Sequence, residues 1–165
     1  MDLMPALKKL EESPDFAKWR EKNRHTYLSY AFRIPQEMSD WQLGYYNRDK
    51  DRITTFIVSS ESIGVRPEEE MFKEQEKDVN EIRLHNVKLS FESVLAKASE
   101  FQGKNYPKDS VLKTIAILQN TEKLGDVWNI TYITEAFNTL NMKIDASTGS
   151  VMEHRLSSIF EFRQK

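Results

Sequence analysis

Apolar residues alternate with polar ones in two similar stretches of the chain. In each stretch a Trp, an aliphatic residue and a Tyr are spaced by two, beginning at Trp41 and at Trp128. Alternation of this kind is typical of a β-strand with one buried face. The pattern therefore predicts strands over 41–47 and 128–134.

A second strand is predicted after each of these, over 53–58 and 139–144. The residues between the strands, 48–51 and 135–138, are short connections that suit hairpins. An earlier strand around residues 28–30 or 115–117 and a last edge strand complete each half. We expect an antiparallel sheet in both halves of the chain.

Helical spacing precedes the strands in each half. Apolar residues recur at i, i+3, i+4 and i+7 from Leu3 and from Phe91, which marks one apolar stripe of a helix. Ser90 is a good N-cap and Gly103 a good C-terminal stop for the second of these helices. In the first half, Ser13 followed by Pro14 predicts a further helix to residue 23.

The two halves correspond at an offset of 87 residues, 128 minus 41, which suggests an internal repeat. A length of 165 residues fits one ordinary domain or two very small ones. We therefore predict an α+β protein made of two tandem units, 1–78 and 79–165, each a helix packed on an antiparallel sheet. The units are expected to form one body, with their sheets joined edge to edge or packed face to face.

The end of the second hairpin carries a motif. Residues 142–151 read Met-Lys-Ile-Asp-Ala-Ser-Thr-Gly-Ser-Val, in which a strand ends in Asp145 and is followed by Thr148, Gly149 and Val151. This resembles the signature of the PepSY domain of peptidase propeptides and a spore-germination protein. The resemblance covers residues 90–151, and the first half lacks counterparts of the Asp and the Gly.

The resemblance implies a cystatin-like fold, with a helix cradled by a curved antiparallel sheet, for each of the two tandem units. It also implies a role in peptidase regulation or in protein interaction at the cell envelope. It implies no catalytic residues.

Composition narrows the classes of partner. Lys and Arg number 24 and Asp and Glu number 26, so the chain lacks the basic excess of a nucleic-acid binder. The chain has no cysteine, which excludes disulfides and thiolate metal sites. The longest unbroken apolar run, 115–118, is far shorter than the ~18–20 residues that span a bilayer. We expect no nucleic acid, no membrane insertion and a cytoplasmic chain, or an extracellular or envelope protein if a leader has been removed.

Candidate chemistry is sparse. His25, His85 and His154 lack metal-ligand spacing, and ordinary surface or half-buried histidines are the favoured interpretation over a general base. Asp145 is interpreted as a turn cap rather than a catalytic acid. Adjacent acidic residues such as 68–70 favour solubility, and no nucleotide or nucleophile motif is present. We therefore predict no catalytic residue, no metal site and no cofactor.

Aromatic residues fall on corresponding strand positions in the two halves, namely Trp41 and Trp128, Tyr45 and Tyr132. A lined pocket is one interpretation, and a filled core between helix and sheet is the favoured one. Further tyrosines at 27, 30 and 46 would mark an interaction face if exposed. The acidic segment 66–83 is interpreted as a solvated element or linker, with a docking surface as the alternative.

These observations favour a non-enzymatic binding protein whose sheet face or edge contacts another protein or a second copy in a homodimer. A small-ligand-binding or enzymatic protein would instead require a helix–sheet cavity of ~300 Å³ or more. A third hypothesis is a structural oligomer subunit whose exposed strand edges pair between chains.

Overall fold

Residues 1–37, 40–70 and 79–160 are described by the computed structural model. Three α-helices and eight β-strands lie in these ranges. In chain order they are α1 (Leu3–Glu11), α2 (Pro14–Lys22), β1 (Thr26–Arg33), β2 (Trp41–Asn47), β3 (Arg52–Val58), β4 (Ile63–Glu70), α3 (Phe91–Asn105), β5 (Val111–Thr121), β6 (Gly125–Thr134), β7 (Asn138–Asp145) and β8 (Val151–Ser158). Short 3₁₀ turns lie at Pro35–Glu37 and Leu84–Asn86.

The strands form one antiparallel sheet in the order β4-β3-β2-β1-β5-β6-β7-β8. Hairpins connect successive strands within β1–β4 and within β5–β8. The two sets meet where β1 pairs with β5, from Tyr30 opposite Gln119 to Arg33 opposite Ala116. Strands β4 and β8 are therefore the two edges of the sheet.

The predicted fold class, two tandem cystatin-like units, is wrong. The eight strands form a single continuous sheet, and the three helices pack with it around one core that contains residues of both halves. The physical reason lies at β1 and β5, because an unpaired strand edge in the middle of the molecule would leave backbone amides and carbonyls without partners. Of the two ways of joining that the sequence left open, the strands meet edge to edge.

The core lies between the helices and one face of the sheet. Trp41 and Trp128 are 1% and 0% exposed, and their ring centroids lie 6.1 Å apart. The ring of Phe91, at the start of α3, contacts both, at 4.9 Å from Trp41 and 5.3 Å from Trp128. Tyr45 and Tyr132 are each 4% exposed. The prediction that the matched aromatic residues fill a core is confirmed.

Helix ends follow the expected capping chemistry, with one exception. Ser13 and Ser90 cap α2 and α3, accepting hydrogen bonds from the backbone amides of Phe16 and Ser93. Gly103 does not end α3, which continues to Asn105. The helix ends there because Tyr106 precedes Pro107, and the helical conformation is sterically disfavoured for the residue before a proline.

The connection between the halves is hydrogen-bonded to strands of both halves. The backbone amide of Ile82 donates to the carbonyl of Leu28 in β1, and that of Arg83 donates to the Asp126 carboxylate at the start of β6. Of the acidic segment 66–83, the first part belongs to β4, and 71–78 lies outside the described residues. The part from 79 onward is thus attached to the sheet rather than a free linker.

Candidate functional site

The helices pack against one side of the sheet. Among the described residues, no helix packs against the opposite side. Side chains alternate along each strand, so residues between core positions point to this opposite side. The pairing register aligns one row of them across all eight strands. The row consists of Gly64, Ile57, Gln42, Phe32, Ile117, Asn129, Lys143 and Glu153. We call the side that bears this row the open face.

The centre of the open face is apolar. Phe32 and Ile117 lie directly opposite each other on β1 and β5. Ile115 precedes Ile117 by two residues, and Ile133 extends the apolar surface onto β6. Ile57 on β3 lies on the same face, separated from Phe32 by Gln42. All five side chains are half-buried, and none belongs to the core cluster. An apolar surface that stays partly accessible is a feature of interaction sites.

An amide network borders this apolar centre on β6 and β7. The side chain of Asn141 donates hydrogen bonds to the Asn129 amide oxygen and, at 2.9 Å, to the Thr131 hydroxyl. These three residues are half-buried. Mutual hydrogen bonding fixes their positions, so their remaining donors and acceptors are presented in a defined arrangement.

A charged group continues the border at β8. Lys123 and Lys143 contact the two carboxylate oxygens of Glu153, at 3.0 and 3.3 Å. Hydrogen bonds from both lysines lower the pKa of Glu153 below its ordinary value, and the bond from Lys123 has the larger effect. Arg155 is exposed on the same strand, and within the described ranges no acidic side chain pairs with it.

A glycine on β2 allows a tyrosine to lie flat on the open face. Gly44 is opposite Tyr30, and a Cβ at this glycine would stand 2.0 Å from the Tyr30 ring. The hydroxyl of Tyr30 reaches Thr55 on β3, with 2.7 Å between the oxygens. The ring therefore covers the backbone of β2 and joins three neighbouring strands.

The other two tyrosines of the predicted interaction face lie on the same side of the sheet, opposite each other at the start of β1 and the end of β2. Tyr27 and Tyr46 contact each other with ring centroids 5.7 Å apart. The Tyr27 hydroxyl donates to the carbonyl of Val79, and Tyr46 is only 3% exposed. All three tyrosines thus lie on the side of the open face, but Tyr46 is buried and the Tyr27 hydroxyl is already bonded to Val79.

A small cleft lies at the other side of the molecule, near the start of α1. It has a volume of about 120 Å³ and is lined by Met1, Arg33, Asp40, Trp41 and Val58–Ser60. This is less than half of the ~300 Å³ expected for a ligand pocket. The Arg33 guanidinium already stacks on Trp41, 5.2 Å from the ring centroid, and donates to the Met1 carbonyl.

The predicted histidines do not build a reactive centre. His25 and His85 are exposed, and His154 on β8 contacts the Tyr106 hydroxyl through Nδ1 at 2.6 Å. In the part of the chain that the structure describes, no three His, Asp or Glu side chains form a group that could hold a metal ion.

Asp145 has the turn-capping role that the sequence predicts. One of its carboxylate oxygens accepts from the backbone amides of Ser147 and Thr148, both at 2.8 Å. Gly149 in the same turn has a φ of +79°, a conformation that favours glycine. The motif at 142–151 is therefore explained by the structure of one turn.

The predicted alternation of apolar and polar residues does not include the apolar centre of the open face, although the sequence carries a signal for it. The run Ile115–Leu118 is apolar at every position, whereas a strand with one solvated face alternates. Its two isoleucines lie on the open face and its other two residues lie in the core. An unbroken run of this kind indicates a strand that is apolar on both faces.

Comparisons with known proteins give a fold and no family. A scan against models of protein families and a search of curated proteins both find no match. They therefore give no support to the PepSY resemblance, nor does any finding support the internal repeat. Among solved structures, a "putative lipoprotein" from Clostridium difficile 630 is similar, with a TM-score of 0.54 and 10% sequence identity. The match covers 87% of this chain and 90% of that chain, and at this identity it shows a shared fold.

One further structural finding concerns membranes. Within the described residues, no helix is long and apolar enough to cross a bilayer.

Proposed function

We propose that this protein is a non-catalytic binding protein that engages another polypeptide through the open face of its sheet. The observation that carries the proposal is the arrangement of that face, in which a half-buried apolar centre is bordered by hydrogen-bonding and charged side chains. Protein–protein interfaces share this anatomy, with an apolar middle and a polar, more accessible rim.

The size of the face suits a modest interface. Strand spacing gives about 29 Å across the six intervals from β3 to β8, and residue spacing gives about 20 Å along β5 from position 113 to 119. The resulting area of roughly 600 Å² is somewhat below the ~800 Å² per partner of a stable complex. A partner of moderate affinity fits this area better than an obligate subunit.

The border of the face defines the chemistry of the partner. Asn129, Asn141 and Arg155 offer donors beside the apolar residues, and a polypeptide supplies both carbonyl oxygens and aliphatic side chains to meet them. A small ligand has less support, because the cleft near Met1 is small and its arginine is already engaged. Peptidase regulation, which the PepSY resemblance implied, has no support from the comparisons.

A location at the cell envelope is part of the proposal. It is supported by the shared fold with a protein described as a putative lipoprotein. Fractionation of cells that express the protein at its natural level, followed by detection with an antibody, tests it. Recovery in the cytosolic fraction alone would contradict the location while leaving the binding role intact.

A substitution in the middle of the open face tests the binding role. Thr131→Arg places a long charged side chain beside Ile115 and Asn141, where it would block a partner. Val65→Arg is the matched control, because Val65 is 60% exposed on the helix side of edge strand β4. Affinity capture from a lysate of the source organism is compared for wild type and both variants, with circular dichroism as a check on folding.

We expect a bound polypeptide that wild type and Val65→Arg retain and that Thr131→Arg loses. If Thr131→Arg is folded and still captures the same polypeptides, the open face is not the binding surface. If wild type captures none, the binding role itself is wrong.

A further inference from the structure

The two edges of the sheet differ in their capacity to pair with another strand. Edge strand β4 contains Gly64 and Pro67 and carries Glu68 and Glu69 in succession. A proline cannot donate to a neighbouring strand, and like charges along an edge repel a second copy. Strand β4 is thus protected against pairing.

Edge strand β8 carries none of these protections. It contains neither proline nor glycine over Val151–Ser158. Met152 and Leu156 are 47% and 37% exposed. The one register shift between β7 and β8 lies opposite Lys143 and Ile144, at the start of β8. The pairing is therefore regular from Glu153 onward.

The hydrogen bonds to β7 show which backbone groups of β8 are directed outward. The amide of Ile159 donates to the carbonyl of Phe137, and the pairing register continues from there along both strands. Residues of an antiparallel strand bond alternately to one neighbour and to the other. Glu153 and Arg155 therefore bond to β7, while His154 and Leu156 direct their amides and carbonyls away from the sheet.

We propose that β8 pairs with β8 of a second copy of this chain in an antiparallel register centred on His154. Glu153 and Arg155 also border the open face, but the inference rests on the edge of β8 and not on the binding role proposed for that face. In this register the outward amide and carbonyl of His154 meet those of His154 in the second copy, as hydrogen-bonded pairs require.

Charge complementarity selects the register. With His154 opposite itself, Glu153 faces Arg155 of the second copy and Arg155 faces its Glu153. If the register were centred one residue earlier or later, on Glu153 or on Arg155, two glutamates or two arginines would lie opposite each other, which is destabilising. Arg155 has no acidic partner among the described residues of its own chain, and the second copy supplies one.

The first test uses the absence of cysteine from the chain. His154→Cys places one thiol opposite its own copy at a Cα separation of ~5.5 Å, which is within the range that a disulfide spans. Under mild oxidation we expect covalent dimer to form at least about tenfold faster than for Arg66→Cys on β4. Equal rates for the two variants would overturn the proposal.

The second test is a charge swap measured by analytical ultracentrifugation over a wide range of concentration. We expect Arg155→Glu to weaken dimerisation of the full chain about tenfold or more, which corresponds to ~1.4 kcal/mol. The double variant Glu153→Arg with Arg155→Glu should restore part of it, since opposite charges face each other again while the ion pairs of Glu153 with Lys123 and Lys143 are lost. Arg66→Glu on β4 should have no effect.

A wild-type chain that stays monomeric at all concentrations would overturn the proposal, as would a dimer that Arg155→Glu leaves unchanged. If Arg155→Glu fails to fold, as judged by circular dichroism, the double variant and the disulfide test decide the outcome without it.

Discussion

Single residues determine how flat the open face is and what it presents. The ring of Tyr30 lies over Gly44 because that position has no Cβ, and its hydroxyl bonds to Thr55. Glycine in a strand interior is otherwise unfavourable, since it adds backbone entropy to the unfolded chain and offers no side chain to pack. Here the aromatic ring supplies the packing.

Gly44→Ala tests this arrangement. The new Cβ would collide with the Tyr30 ring, so the ring must leave its place and lose the bond to Thr55. We expect the free energy of unfolding to fall by about 1–3 kcal/mol, the usual cost of overpacking. Urea denaturation measures it.

Gly103→Ala is the control for this change. Nothing lies within 4 Å of a Cβ at Gly103, which is inside helix α3. Alanine should raise the stability there by about 0.5–1 kcal/mol. Equal effects of the two substitutions would show that Tyr30 does not depend on the glycine.

The buried tyrosines make stability sensitive to alkaline pH. Burial raises the pKa of Tyr132 to about 12 from an ordinary value of 10.0, so its neutral form is favoured in the folded chain. Burial also raises the pKa of Tyr45. The stabilisation that comes from keeping Tyr132 neutral is complete below the pKa of tyrosine in the unfolded chain. It is lost as the pH rises from about 10 through about 12.

Tyr132→Phe should reduce the loss of stability over this pH interval, because the group that ionises on unfolding is removed. Denaturant unfolding at neutral and alkaline pH measures the difference for wild type and variant. Tyr45 still titrates, so some dependence should remain. A variant with the same alkaline loss as wild type would assign the effect to other groups.

At the scale of elements, local signals predicted most of the boundaries. Strand β2 spans the predicted 41–47, and both hairpin turns lie where short polar connections indicate them. Such boundaries follow from alternation, caps and turn residues, which act over a few residues. The end of α3 was missed because a glycine in a helix is only moderately unfavourable, whereas a following proline sets a firmer limit.

The turn between β7 and β8 offers a test at this scale. Asp145→Ala removes the oxygen that accepts from Ser147 and Thr148, so we expect a loss of about 1 kcal/mol of stability. Asp145→Asn keeps a side-chain oxygen at the same place and should lose less. Thermal unfolding measures both, and identical losses would exclude the cap as the cause.

At the scale of the whole molecule, the join between β1 and β5 makes the two halves one structure. The core cluster combines residues of α1 and β2 with residues of α3 and β6. Neither half could bury its core residues alone, because each covers the other across the Trp41 and Trp128 contact. A sheet of this kind should unfold as a unit.

We therefore expect a single cooperative transition in differential scanning calorimetry, with equal calorimetric and van't Hoff enthalpies. The fragments 1–78 and 79–165 should not fold separately. Two resolved transitions, or a folded fragment, would show that the halves are independent units.

The sequence by itself determined the helices, the strands, the N-caps of α2 and α3, the hairpin turns and the burial of the matched aromatic residues, since each depends on neighbours a few positions away. It also indicated, in the apolar run of β5, that both faces of that strand are apolar. Only the tertiary structure decided that β1 pairs with β5, that all helices share one side, and that the open face and the β8 edge remain. The pairing of strands about 85 residues apart depends on which edges must be satisfied in the folded chain, and no local pattern encodes that choice.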